Sequence, residues 1–397
     1  MIYWDTGTVV AIVSSRESVQ ELEIAMRGGS GAKARAIHYT DAFGPVGLGD
    51  TVVLNTTAVQ LDLGTGGRHF VLSVLRPLHG SEVAAEEAAA LKARTIEERK
   101  GHLMKLRYTP LQRSVLAAEE QASPHHGLFQ DSFDLEGMPV LIGELHSMLP
   151  AAVCWLRHAH AVGADGGSDD AHGGKKPLRI VYIMSDGGAL PIAYSRHVSS
   201  MRERGWLAGT VTFGHAYGGD VEAINKFTAL IAAKRVLKAD VAIVAMGPGI
   251  AGTGTPLGHT GVEVGELVNA AAALGGKPVV MPRISFAESR DRHRGISHHL
   301  LHSLSLIALR EAALPLPDSL NGHHKQLIRE QLESSGLHQK HRIVWVRNIN
   351  RQEIARSQES YPLPVTTMGR GLAEDPGFFL GVCSAAQYVL DGMPSES

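Results

Sequence analysis

Apolar residues recur along this chain in two different rhythms. Over residues 1–79 they come as short runs, "TGTVVAIV", "VQELEIAMR", "AKARAIHYT", "DTVVLN" and "RHFVLSVL", rich in Val, Ile, Leu and Thr. The turn-forming stretches "RGGSG", "FGPVGLGD" and "GTGG" separate them. Closely spaced β-prone runs with Gly and Pro punctuation predict a small β-barrel. From Ser81 the pattern becomes charged and alanine-rich. Ser81 is a natural N-cap and "EVAAEEAAALKARTIEERKGHLMKL" is full of good helix formers, so a connecting helix is expected over 80–110. Over 111–397 continuous apolar runs such as "MPVLIGEL", "LRIVYIM", "DVAIVAM" and "HRIVWV" alternate with helix-like segments. Strands apolar on both faces are buried on both faces. This region therefore predicts a Rossmann-like α/β domain, a mostly parallel sheet with helices on both faces. The polar, low-complexity "GADGGSDDAHGGKKP" at 163–177 is expected to be a flexible loop within it.

Composition narrows the partners. The 397 residues suit two domains, and 44% hydrophobic with 20% charged residues is ordinary for a globular protein. A net charge of −2 provides no bulk attraction to nucleic acid or to an anionic membrane. The barrel has few aromatics, so a packing, lid or oligomerisation module is expected in place of a nucleic-acid reader. Cys154 and Cys383 lie in helix-like apolar stretches and read as buried free thiols in a reducing compartment. "MIYWDTGTVV" has no basic or apolar leader pattern, and no apolar run approaches the roughly 20 residues of a membrane helix. A cytoplasmic protein is expected. The 21 histidines are the compositional oddity, since imidazole suits proton transfer and metal binding near neutral pH.

In a parallel α/β sheet, ligands sit beyond the carboxyl ends of the strands. The loops expected there are "HSMLP", "SDGGALP", "GHAYGGD", "GPGIAGTGTPLGHTG" and "RISFAESRDRHRG". They carry small residues, Thr, Asp and His where ordinary solvent loops carry Lys and Glu. Gly247-Pro-Gly249-Ile-Ala-Gly252 satisfies G-x-G-x-x-G, but the next helix pattern starts only near Gly261, and no acid ends the following strand. A standard NAD site is therefore disfavoured. A generic anion cradle survives, built on Gly247, Gly249, Gly252 and Gly254, on the hydroxyls of Thr253, Thr255 and Thr260, and on His259. Ser185, Asp186 and Gly187 follow a strand, and Asp186 either caps a helix or holds a sugar hydroxyl, a metal or a proton. Asp220 reads as the N-cap of "VEAINKFTALIAAKRVLKA", with catalysis as its other use. His215 has no evident structural task and is the first candidate acid or base. Arg290, Arg292 and Arg294 with His293 form a cationic cluster whose guanidinium forks suit phosphate, and Arg283, at the end of the preceding strand, is a further candidate ligand-binding residue. Ser297 is expected to cap the next helix, on which His298 and His302 stand at i and i+4 and could hold a divalent metal. Thr366, Thr367 and Arg370 precede a helix start at Asp375-Pro376 and could close a second wall of an anion site.

Taken together, "NTTAVQLDLGTGG", "MKLRYTPLQ", "ELHSMLPA", "IMSDGGALP", "TFGHAYGGD", "AMGPGIAGTGTPLGHTG", "RISFAESRDRHRGISHH" and "TTMGRG" give a chain that resembles a bacterial family defined only as a domain of unknown function (DUF3866-like). The resemblance runs from about Trp4 to Leu390 and implies a bacterial cytoplasmic protein. It transfers no activity and no residue role. The residues themselves point to an enzyme, a transferase or hydrolase, that binds a phosphorylated or nucleotide-like small molecule at the sheet's carboxyl edge. In that reading His215, Asp186, Asp220 and His293 do acid–base work or hold a metal. The alternative is a non-catalytic ligand sensor or scaffold whose same loops form a homodimer interface.

Overall fold

The computed structural model describes residues 3–27, 33–60, 67–75, 101–106, 111, 113–130, 133–162 and 176–393. Most of the helix expected over 80–110, and all but the end of the loop expected over 163–177, lie outside the described residues. The last part of the former holds a short strand, Leu103–Lys105, in place of helix. The chain forms two compact units, Met1–Lys100 with Leu106–Ser114, and Gly101–Lys105 with Val115–Ser397.

The first unit is built on five strands, β1 (Trp4–Arg16), β2 (Val19–Met26), β3 (Lys33–Tyr39), β4 (Thr51–Asn55) and β5 (Arg68–Leu75). They close into a barrel in the order β1-β2-β3-β5-β4, antiparallel except for the β3–β5 seam. Closure removes both sheet edges. Alternation explains the packing: Val52 and Leu54 of β4 point inward to join Val9, Leu22, Ile24, Ala36 and Val71 in a separate apolar core.

Two short strands follow in the chain, β6 (Leu103–Lys105) and β7 (Arg113–Val115). The second unit is organised by β8 (Pro139–Gly143), β9 (Ile180–Ser185), β10 (Gly209–Phe213), β11 (Val221–Ala223), β12 (Val241–Met246) and β13 (Lys277–Val280). After the small antiparallel pair β14 (Ile284–Ser285) and β15 (Gly295–Ile296) come β16 (Ala313–Pro317) and β17 (Arg342–Val346). The main sheet has the order β11-β10-β9-β12-β8-β13-β16-β17, and every pairing in it is parallel. Every residue of β9 and of β12 is buried, as continuous apolar runs require of strands covered on both faces. One helical layer contains Met148–Val162, Arg351–Gln358 and Pro376–Asp391, packed on one another, and a second contains Lys226–Ile231 and Glu263–Ala273. The fold is α/β with a small N-terminal barrel. Cys154 and Cys383 are buried free thiols. No helix among the described residues is long and apolar enough to cross a membrane.

A wholly parallel sheet places every strand's carboxyl end on one edge. From β9 the chain leaves toward β10, and from β12 it leaves across β8 toward β13. The carboxyl ends of these two neighbours therefore feed loops that run in opposite directions, and such a switch point opens a crevice for a ligand.

Candidate functional site

Glu144 directly follows β8 and Arg283 follows β13, the adjacent strand. Their side chains meet at 2.7 Å with both residues buried. Burial pushes the Glu144 carboxyl above its usual range, against the pull of the Arg283 guanidinium. Only one carboxylate oxygen is used, and Glu144 Oε2 is buried without a partner. At the end of β9 the Ser185 hydroxyl donates to Glu263, the first residue of the helix Glu263–Ala273, and burial also raises the Glu263 carboxyl. Asp186 packs so closely on Gly214 that a Cβ there would lie 2.5 Å from its Oδ2. Its Oδ1 is a second buried oxygen with no partner. The structure thus brings Asp186 beside the loop that carries His215. Gly187 lies against the Met246 side chain.

The loop after β12 is a small hairpin closed by a Gly252–His259 bridge. Gly249 and Gly254 take φ of 112° and 79°, where L side chains are strained. Its threonines are occupied. Thr253 N–H and Oγ1 both donate to Gly258 O, at 2.8 and 2.9 Å, Thr255 Oγ1 accepts from Gly258 N–H at 3.0 Å, and Thr260 Oγ1 accepts from Ala251 N–H at 3.1 Å. These hydroxyls, expected as anion donors, hold the hairpin together. Ala251 to Leu257 are exposed, while Gly247 and His259 are buried at the two ends. The helix begins at Glu263, after a 3-10 turn over Thr260–Val262, so Gly252 does not stand at a helix N-terminus. His259 Nε2 lies 3.1 Å from Pro256 O, which can only accept, so Nδ1 carries the lone pair, and Nδ1 has no partner.

The histidine-rich segment meets this hairpin from the other side. The β14–β15 pairing folds the chain back, through a 3-10 turn over Asp291–His293 and a positive φ of 71° at Gly295. His293 is thereby laid against the start of the helix His298–His302, which Ser297 caps as expected by accepting from His299 N–H. Ring centroids lie 4.8 Å apart for His293–His298, 4.9 Å for His293–His299 and 4.4 Å for His298–His299. His259 stacks on His299 at 3.9 Å with planes 8° apart. His302 stands edge-on to His298 at 5.6 Å. His293 Nδ1 is 2.9 Å from Ser297 Oγ, whereas His298 Nε2, His299 Nδ1 and His302 Nδ1 are buried with no partner. Burial, then the charge of Arg283 and further neighbouring cations, lowers His293 to about 3. Burial and then its neighbouring histidines lower His298 to about 4 and His299 to about 2. Burial thus favours the neutral form of His293, His298 and His299. A buried polar atom without a partner costs about 1–3 kcal/mol, so four such nitrogens on adjacent rings are expensive unless something else binds them.

The other expected residues are placed as follows. Arg292 and Arg294 are exposed on either side of the buried His293. Arg290 forks onto Glu288 at 2.9 Å through both Nε and Nη2. Asp220 does not cap a helix. Its carboxylate accepts from Thr210 N–H and Oγ1, both at 2.8 Å, and pairs with Arg202, because the residues after it enter β11 as the edge strand beside β10. The helix starts five residues on, with Asn225 and Thr228 forming a capping box. His215 and Asp220 sit at or near β10, two strands from β12, and so away from the histidine cluster.

Arg370 lies elsewhere on the edge. It reaches Asp375 Oδ2 at 3.2 Å and Glu288 at 3.5 Å. Asp375 stands before Pro376 at the helix start but makes no capping bond; Ser285 Oγ donates to it at 2.7 Å, and its Oδ1 is buried and unpartnered. Asp375 lines a cleft of about 540 Å³ with Phe286, Asn321, His324 and Asn350. Asn321, Asn350 and Asp375 are the N-cap positions of three helices, Gly322–Ser334, Arg351–Gln358 and Pro376–Asp391. Sequence reasoning did not single out Glu144, Glu263, His299 or this cleft. Glu144 carried one readable signal, an acid immediately beyond a fully apolar strand.

No curated protein and no solved structure matches this chain. A match to one family covers residues 35–386. The chain belongs to the family described as "Protein of unknown function (DUF3866)".

Proposed function

We propose that this protein is an enzyme, a transferase or hydrolase, that binds a phosphorylated or nucleotide-like small molecule at the carboxyl edge of its parallel sheet. The observation that carries the reading is the gathering of unpartnered buried polar atoms under guanidinium groups at that edge. Glu144 Oε2 and His259 Nδ1 lie on segments that follow β8 and β12, and His298 Nε2 and His299 Nδ1 follow β15, beyond β13; Asp186 Oδ1, after β9, is a further such atom on the same edge. Structural polar groups find partners on folding; groups kept without them are available to a ligand. Arg292 and Arg294 offer exposed forks for phosphate oxygens, and Arg283, Arg290 and Arg292 give His293 a positive surrounding. The ligand's anionic part belongs there. His259 and Glu144 supply proton transfer, since a Cβ on Gly261 would lie 3.1 Å from His259 Nδ1 and 3.6 Å from Glu144 Oε2. Both acceptors flank that one point. Asp186 beside the His215 loop is a second place for acid–base work.

The test is thermal melting of the full chain against nucleotides, sugar phosphates and inorganic phosphate. A true ligand at about 100 times its Kd stabilises by about 2.7 kcal/mol, a shift of several degrees. Arg292→Ala with Arg294→Ala should remove most of that shift. If no phosphate-bearing compound moves the melting temperature, the proposal fails.

A further inference from the structure

We propose that His293, His298 and His299 form a site for one divalent transition-metal ion of the kind imidazoles hold, such as Zn²⁺ or Co²⁺. Each offers one ring nitrogen, and the three nitrogens lie within 4.8 Å of one another. Zn–N bonds of about 2.0–2.1 Å in a tetrahedron set N···N separations of about 3.4 Å. Ring rotations on the order of an ångström close the difference. The i, i+4 pairing of His298 with His302 is thus replaced by a set that uses neighbours on the chain. His302 stays at the rim of the site.

Three independent features support the assignment. The first is the state of the donors. His298 Nε2 and His299 Nδ1 have no hydrogen-bond partner although both are buried, and no imidazole–imidazole hydrogen bond satisfies them. The second is the supporting shell. Ser297 Oγ stands 2.9 Å from His293 Nδ1, and when Nδ1–H donates to it, Nε2 is left with the lone pair. A metal-bound histidine is oriented this way, by an outer partner on its other nitrogen. His259 lies flat over His299 and restricts its rotation. The third is room. Gly252 faces the ring of His299, and a Cβ there would stand 3.1 Å from its Cε1 and Nε2. Any larger residue at 252 would press on the ring.

The donor set selects the metal. Imidazole nitrogens suit Zn²⁺, Co²⁺ or Ni²⁺, whereas Mg²⁺ and Ca²⁺ need oxygen ligands. Three protein ligands leave one position for water or an anionic oxygen, the arrangement of a catalytic rather than a structural site. The site rests on donor geometry and stands whether or not the proposed reaction is right.

The test uses the full chain without a histidine tag, freed of metal by a chelator and titrated with Co²⁺ and then Zn²⁺. One Co²⁺ per chain is expected, with the intense visible absorption of four-coordinate cobalt, displaced by one equivalent of Zn²⁺. His298→Ala and His299→Ala should each weaken binding by at least about tenfold, while His323→Ala, on an exposed residue of another helix, should bind as the unaltered protein does. Circular dichroism of the metal-free variants separates lost ligands from lost folding. Should His299→Ala fail to fold, the unaltered protein and His298→Ala, whose ring is only partly buried, still decide the matter. Binding of less than one equivalent, a faint six-coordinate spectrum, or variants that bind as tightly as the unaltered chain would overturn the proposal. A phosphate-induced melting shift without metal binding would overturn this site alone.

Discussion

The hairpin at 247–261 and the segment at 293–302 touch each other, and in the sequence both look rich in chemistry. Their hydrogen bonds divide them. In the hairpin the hydroxyls of Thr253, Thr255 and Thr260 are bonded within the loop, and its tip is exposed. In the histidine segment three ring nitrogens, His298 Nε2, His299 Nδ1 and His302 Nδ1, are buried and lack partners. A motif rich in glycine and threonine can be a loop that satisfies itself. A run of histidines can be a set of donors held open. Where partners are absent, and not where motifs are dense, is the better guide to a site.

The largest effect should come from the side that is dry. Glu144→Ala leaves Arg283 buried without its counter-charge, and breaking such a pair typically costs about 3–5 kcal/mol. Urea unfolding should show that loss, while Glu144→Gln, which keeps shape and one acceptor, should lose less. A loss below about 1 kcal/mol for the alanine variant would mean that Arg283 reaches water. The contrast between a dry cluster and a wet hairpin would then collapse.

A third region sharpens the comparison. His146, after β8, has hydroxyl partners on both nitrogens, Ser195 Oγ at 2.7 Å and Tyr182 OH at 3.3 Å. It is a histidine held for structure. Burial, then the nearby His197, lowers it to about 3, against about 6.5 for an ordinary imidazole. Below about pH 6.5 the unfolded chain takes up a proton that the folded protein refuses. Stability is therefore insensitive to this group above about pH 6.5 and falls as pH drops toward about 3. His146→Gln removes the effect, so the stability gap between the unaltered protein and the variant should narrow on acidification. The expected slope is up to about 1 kcal/mol per pH unit in unfolding experiments between pH 6.5 and 5. An unchanged gap would show that His146 protonates in place.

These regions also show what was legible. "IVYIM" and "VAIVAM" are apolar at every position, and they became the fully buried centre of a parallel sheet. The barrel followed from short alternating runs and turn residues. Asp220 was misplaced as a helix cap because a three-residue edge strand, β11, is too short to show a period; the Asn225–Thr228 capping box marked the true start. The site was harder to read because its pairs are not local. Glu144 meets Arg283 from another strand's end, and His293 reaches His298 and His299 through a turn and a β-pair, not through a helical period. A rule of i and i+4 selects His302 and passes over His299.

Ser297 tests how tightly the cluster is tied to its helix. It caps His298–His302 and holds His293 Nδ1. Ser297→Ala should cost about 1–2 kcal/mol from the lost cap and the stranded ring nitrogen, and should loosen metal binding as well. Ser297→Thr keeps the hydroxyl and should restore most of both. If alanine costs stability and leaves metal affinity untouched, Ser297 serves the helix alone.

The smallest effect should come from the hairpin tip. Thr253 and Thr255 share a hydrogen bond of 2.9 Å and both close on Gly258, yet both are exposed, so water can replace what either loses. Thr253→Ala and Thr255→Ala should each cost less than about 1 kcal/mol. Hydrogen exchange should quicken at Thr253 and Gly258 N–H, which open locally without global unfolding. Neither variant should change the cobalt spectrum, because the hydroxyls face the loop and not the rings. A loss of phosphate-induced stabilisation in Thr253→Ala, with the histidine variants unaffected, would reverse the comparison. The hydroxyls would then be ligand donors that bond one another only in the absence of an anion, and the hairpin would be the binding element.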